Sequence, residues 1–164
     1  MFDGPAGGIF PEPGPPARRL YHYPKVDAIV GSGDEFRRVL WTGENSQFVI
    51  MTVPVNGEIG EEWHDVDQHL IMVQGSCRAV VEGEVKDIKA GDLCIVPAGA
   101  VHNFINTGPT PFQLYTFYAP AEHDWKTVHK TREEGEREEA EGHDEPPAWA
   151  IQGLIKKKTG SDSE

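Results

Sequence analysis

Cysteine, basic side chains and long apolar runs are what this sequence has least of. Two cysteines, Cys77 and Cys94, stand among 164 residues. Both lie in apolar stretches and read as reduced core thiols, because two cysteines make no disulfide framework. Lys and Arg number 15 against 27 Asp and Glu, a net charge of −12. A nucleic-acid binder needs a basic stripe for phosphates. The one basic cluster here is Lys156-Lys157-Lys158, near the C-terminus. The same acidity argues against anionic membrane surfaces. No run approaches the roughly 18 apolar residues that mark a bilayer span. The opening MFDGPAGGIFPEPGPPARRL lacks the basic start and apolar run of a secretory signal. The expectation is a cytoplasmic protein with neither nucleic acid nor membrane as partner.

What is present is enough chain for one domain with a core, 38% hydrophobic. Residues 1–24 hold six of the thirteen prolines and four glycines. Such a segment cannot close a hydrogen-bonded ladder and reads as an irregular arm. Residues 25–120 read as short strands between glycine turns, among them EFRRVLW, QFVIMTVPV, HLIMVQ, CRAVVEG, LCIVP, VHNFIN and FQLYTFY. Many short strands with no helix between them predict an all-β sandwich or small barrel. Residues 121–164 form a polar tail. Within it KTREEGEREEAEG places Thr131 and Glu134 at capping-box spacing, so a helix can start there, although it has little apolar face. AWAIQGLI (148–155) reads as a short apolar docking patch.

Two stretches carry the chemistry. GDLCIVPAGAVHNFIN (91–106) sets Gly91, Pro97, Gly99, His102 and Asn106 at fixed spacings. It resembles the second signature motif of the cupin superfamily at every anchor. GEEWHDVDQHLIMVQG (60–75) then occupies the place of the first motif. The resemblance covers about 46–118, and it implies a small double-stranded β-helix, or jelly-roll, barrel. The first motif departs from the family pattern. Counting back from Gly75, the family's glutamate position holds Gln68, its second histidine is His64, and its first histidine position holds Glu62. The usual His, His, Glu, His set thus becomes Glu62, His64, Gln68, His102. The carboxylate and the neutral donor have exchanged places, which leaves the charge of the set unchanged.

In a strand, residues two apart share a face. Glu62 and His64 can therefore enter the interior together. Gln68 points inward with Leu70 and Met72, and His102 with Phe104. Imidazole nitrogen with carboxylate or amide oxygen, and no thiolate, excludes a Cys-zinc or copper(I) site. Mn, Fe, Zn, Ni and Co all fit such a divalent metal site. His69 and Trp63 fall on opposite faces from their neighbours. Asp65 and Asp67 read as loop braces, and Asn106 as a turn brace.

The resemblance leaves function open, since one fold hosts many chemistries. One expectation is a metal-dependent enzyme acting by Lewis-acid catalysis on a small polar, sugar-like or carboxylate substrate, with His123, His129 or Tyr115 as acid–base group. The ligand types are loosely similar to phosphomannose-isomerase-type cupins, although in a different order. Alternatives are an Fe(II)-dependent oxygenase using two histidines and one carboxylate, or a non-enzymatic small-ligand sensor. The family's habits also imply a homodimer.

Overall fold

The structure is a computed structural model and describes residues 11–150. Most of it is strand. In chain order these are β1 (Arg37–Thr42), β2 (Gln47–Val53), β3 (Asp67–Gln74), β4 (Ser76–Val81), β5 (Glu84–Lys89), β6 (Leu93–Val96), β7 (His102–Asn106), β8 (Phe112–Ala119) and β9 (Val128–His129). They form two antiparallel sheets, one ordered β6-β3-β8-β2-β1-β9 and the other β5-β4-β7. The turn sequences dictate local pairings. Glu82 and Gly83 join β4 to β5 with φ of 48° and 78°. Two successive positive φ values are what a two-residue hairpin turn with the right-handed strand twist requires.

The sheets face one another across a single main core. Val39, Val49 and Met51 enter it from β1 and β2, Leu70 and Met72 from β3, Ala79 from β4, Phe104 from β7 and Tyr118 from β8. Each large apolar side chain so buried contributes about 1.5–3 kcal/mol. The inward alternation of Gln68, Leu70 and Met72 appears as expected, with His69 exposed between them. Trp63 is 60% exposed.

Two helices flank the sheets. α1 (Val26–Gly31) lies where strands alone were expected. Its six residues are too short to show a helical period in sequence. Val26, Ile29 and Val30 cover the outer face of the large sheet beside Leu40, Phe48 and Ile50. α2 (Arg132–Ala140) starts at Thr131, whose side chain accepts from Glu134 N at 3.1 Å. It has almost no apolar face and docks through other means. Arg132 pairs with Glu58 at 3.0 Å, and the buried Gly135 lets the backbone close on His129 and Arg37. A 3-10 turn, Ala148–Ala150, ends the described chain with Ala150 buried. The docking patch predicted at 148–155 lies mostly outside the described residues, as does the basic cluster. No helix among the described residues is long and apolar enough to cross a membrane.

Candidate functional site

The chain between β2 and β3 runs along the edge of the small sheet. There Glu62 forms a lone antiparallel bridge with His102, the first residue of β7. Glu62 N donates to His102 O at 3.0 Å and His102 N to Glu62 O at 2.9 Å. Glu62 takes part only in that single bridge and His64 lies outside any strand, unlike the sequence expectation. The pairing with β7 supplies the order instead. His64 is fixed from the far side, since its carbonyl accepts from Gly99 N at 2.7 Å. Gly99 has φ of 85°, a conformation in which L side chains are strained. The Pro97-Ala98-Gly99 turn therefore holds one motif against the other, and Asp67 adds a bond from Ala98 N at 2.9 Å.

This brings Glu62, His64 and His102 together, with one donor atom of each within 4.8 Å of the others. Glu62 Oε1 lies 3.4 Å from His64 Nε2 and 3.7 Å from His102 Nε2. Ligands about 2.1 Å from a shared ion at tetrahedral angles stand about 3.4 Å apart. Glu62 Oε1 and His102 Nε2 are buried and have no hydrogen-bond partner. The His102 ring is oriented from behind, because Nδ1–H donates to Ala100 O at 2.8 Å. That bond leaves the Nε2 lone pair turned toward Glu62. Burial opposes charge on both Glu62 and His64. Their mutual attraction, with His102 beside Glu62, outweighs it. Glu62 is held well below the usual carboxylate range, and His64 is raised.

Gln68 is 2% exposed on β3. Its amide has a forced orientation. Thr116 Oγ1 gives its one hydrogen to His69 O at 2.8 Å, so it can only accept from Gln68 Nε2, at 3.2 Å. Gln68 Oε1 is thereby left buried and unpartnered, in the manner of Glu62 Oε1 and His102 Nε2. Glu62, His64 and His102 fit a divalent ion: a hard carboxylate oxygen and imidazole nitrogens, with Glu62 Oε1 and His102 Nε2 buried and without hydrogen-bond partners.

Beside this cluster lies a cavity of about 400 Å³, lined by Glu62, His64, Arg37, Glu122, His123 and Asp144 among others. His123 is buried, and its Nδ1–H donates to Asp144 Oδ2 at 2.6 Å. Asp144 Oδ1 also accepts from Thr127 Oγ1 and from Asp124 N. Burial, helped by nearby Arg37, pushes His123 down to about 4, so its ring is neutral at pH 7. Burial pushes Asp144 the other way. The bonds from His123 and Thr127 win, and it falls to about 2. His123 Nε2 has no partner. Glu122, 4.0 Å from His64 Nε2, is raised by burial to about 7.

The other two acid–base candidates stand elsewhere. Tyr115 lies among Tyr23, Phe48 and Phe117 on the outer face of the large sheet. Strand alternation explains this: Leu114 and Thr116 turn inward and Tyr115 between them turns outward. His129 is buried behind Arg37, and its Nδ1 accepts from Arg37 Nη1 at 3.0 Å. Sequence reading passed over Arg37, Glu122 and Asp144. For Arg37 a signal existed, because it alternates with Val39 on the inward face of β1. For Asp144 none did, since its partner His123 is joined to it only through the fold.

Residues 49–118 match the family model of the Cupin domain. The chain is 41% identical over 116 residues to YrkC, an uncharacterised protein of Bacillus subtilis, which covers 65% of this chain and 61% of that protein. The chain thus spans about three fifths of the length of that relative. Among solved structures, BH2720 of Bacillus halodurans superposes with a TM-score of 0.71 at 29% identity, over 75% of this chain and 98% of that one. An RmlC-like cupin family protein with a double-stranded β-helix fold, from Methanocaldococcus jannaschii, gives 0.52 at 16% identity, over 62% and 90% of the two chains. That last likeness speaks to the fold alone.

Proposed function

The chain belongs to the cupin superfamily, and from that footing we propose a metal-dependent enzyme that moves a proton on a small polar substrate. Glu62, His64 and His102 would hold the ion, with Gln68 Oε1 as a fourth donor. The observation that carries this reading is the set of buried acceptor atoms with no hydrogen-bond partner. When bound, a divalent ion supplies a Lewis acid that draws electron density from a substrate oxygen.

The chain's own residues supply the rest. Neutral His123 is the proton acceptor. Asp144 fixes its tautomer through Nδ1 and balances the imidazolium that forms. Glu122, on the opposite side of the ordinary carboxylate range, is the proton donor. Two groups whose surroundings push their pKa values apart make an acid–base pair. A proton taken from carbon and returned to a neighbouring atom makes an isomerase. If a leaving group departs instead, the reaction is that of a lyase. The exposed Leu93, Ile95 and Phe117 on the outer face near edge strand β6 support a homodimer. The unpaired Cys77 and Cys94 suit a reducing, cytosolic setting.

A second reading, an Fe(II)-dependent oxygenase, draws on the two-histidine, one-carboxylate composition of the set. Elemental analysis of purified protein, with an anomalous-scattering peak sought among Glu62, His64 and His102, tests both. Near-stoichiometric metal at that point supports the site. Iron with oxygen uptake favours the second reading. Protein that takes up none of Mn, Fe, Co, Ni or Zn overturns both.

A further inference from the structure

We propose that Arg37 is the seat of a substrate carboxylate, and that the ligand of this cavity is a small hydroxy- or keto-monocarboxylate. The inference rests on reading the cavity as a substrate site, and it deepens that reading.

Arg37 is 6% exposed and lines the cavity. A guanidinium carries five N–H donors and is never neutral in a protein. One donor goes to His129 Nδ1. Nε is buried without a partner, and among the described residues no carboxylate lies within 4.0 Å of this side chain. A buried cation with unused donors is costly unless something completes it.

Two carboxylates of the cavity are committed elsewhere. Glu62 faces the two histidines. Asp144 takes bonds from His123, Asp124 and Thr127. Glu139 of α2 lines the cavity too and feels the charge of Arg37, but it is exposed and stays beyond ion-pair distance. A planar carboxylate matches the guanidinium fork with two parallel bonds. A phosphate dianion would bring more charge into a cavity that already holds Glu62, Glu122 and Asp144. Arg37 cannot drift to meet a partner of another size. It is pinned on one side by His129, and Gly135 of α2 sits so close that a Cβ there would stand 3.1 Å from Arg37 Nη1. A hydroxyl or keto oxygen on the same small molecule then has the Glu62 and His64 side of the cavity.

The test titrates full-length protein with glycolate and with ethylene glycol, which differ in the carboxylate, and with inorganic phosphate. Binding is followed by calorimetry and melting temperature, in EDTA-treated and in metal-loaded protein. Glycolate should bind and stabilise, ethylene glycol should do neither, and phosphate should bind more weakly than glycolate. Arg37→Met should weaken glycolate about ten- to hundred-fold, with Arg37→Lys in between. Glycolate binding to EDTA-treated protein that Arg37→Met abolishes upholds the carboxylate seat even if no metal is ever found. Equal effects of glycolate and ethylene glycol on the wild type overturn it, whether or not the variants fold. So does unchanged glycolate affinity in a folded Arg37→Met protein, or phosphate binding as tightly as glycolate.

Discussion

Glu62 and His102 are bound to each other through both backbone hydrogen bonds of one bridge, and their side chains then meet at 3.7 Å without hydrogen-bonding. The backbone brings an acid and an imidazole together and withholds the contact that would satisfy them. That gap is the centre of the site.

His64→Ala and His102→Ala should each reduce bound metal from near one ion per chain to near none, measured by mass spectrometry after dialysis. In wild type, saturating metal should add about 3–4 kcal/mol to unfolding stability when the ion is at 100 to 1,000 times its Kd. Both variants should lose that increment. Equal metal content in His102→Ala and wild type would remove His102 from the ligand set.

Gln68→Glu should behave oppositely with and without metal. Thr116 Oγ1 has already given its hydrogen to His69 O and now accepts from the Gln68 amide. A carboxylate at 68 would face that lone pair, so the EDTA-treated variant should melt below wild type. With metal the added charge should tighten binding. The gap between metal-free and metal-loaded melting temperatures should therefore widen. A variant that melts with wild type in EDTA would show that the Thr116 bond does not orient this side chain.

Glu122→Gln should stabilise the EDTA-treated protein in a pH-dependent way. The folded value of Glu122 is raised from 4.5 to about 7. Below pH 4.5 both folded and unfolded chains hold the proton. Above it the unfolded chain ionises first, and stability falls until the folded group ionises near pH 7. The variant lacks this loss, so its advantage over wild type should grow from pH 4.5 to 7, reaching up to about 3 kcal/mol. His123 works in reverse: its folded value of about 4 makes stability fall as pH drops from 6.5 toward 4. Wild type alone should thus look flatter than the variant. Melting curves of the two proteins at half-unit pH steps decide this. A constant difference would place the Glu122 carboxyl in contact with water.

Asn106→Ala should cost about 3 kcal/mol in urea unfolding. Its Nδ2 donates toward the carbonyls of Val53, Pro54 and Thr110, and its Oδ1 accepts from Gly108 N at 2.9 Å. Asn106 is 7% exposed, so these groups would lose their partner away from water. A loss under about 1 kcal/mol would mean that water replaces the side chain.

How much of this could be read in advance depends on sequence distance. His102, Gly99 and Asn106 sit on one strand and the turn before it, so the resemblance of this one short stretch to a known motif marks all three. The inward face of Gln68, Leu70 and Met72 follows from a period of two, and Thr131 announces its helix by local capping chemistry. Arg37 showed in sequence only through its alternation with Val39, because what makes it unusual is a buried Nε with no hydrogen-bond partner, and a missing contact leaves no mark in sequence. Asp144 meets His123 across a helix that has no apolar stripe to predict its docking. α2 is held by Gly135 and the Arg132–Glu58 pair, and neither has a periodic signature.

The segment that matches the family model, 49–118, contains the four donors proposed for the ion, whereas the proposed carboxylate seat and proton carriers lie outside it. Arg37 precedes it; Glu122, His123 and Asp144 follow it. A chimera carrying that segment alone would inherit the cradle for the ion and lose both the cation and the proton carriers. Descendants of such a chain can change what they act on by rewriting the flanks while the inner strands stay fixed, and two proteins with matching cores need share no substrate.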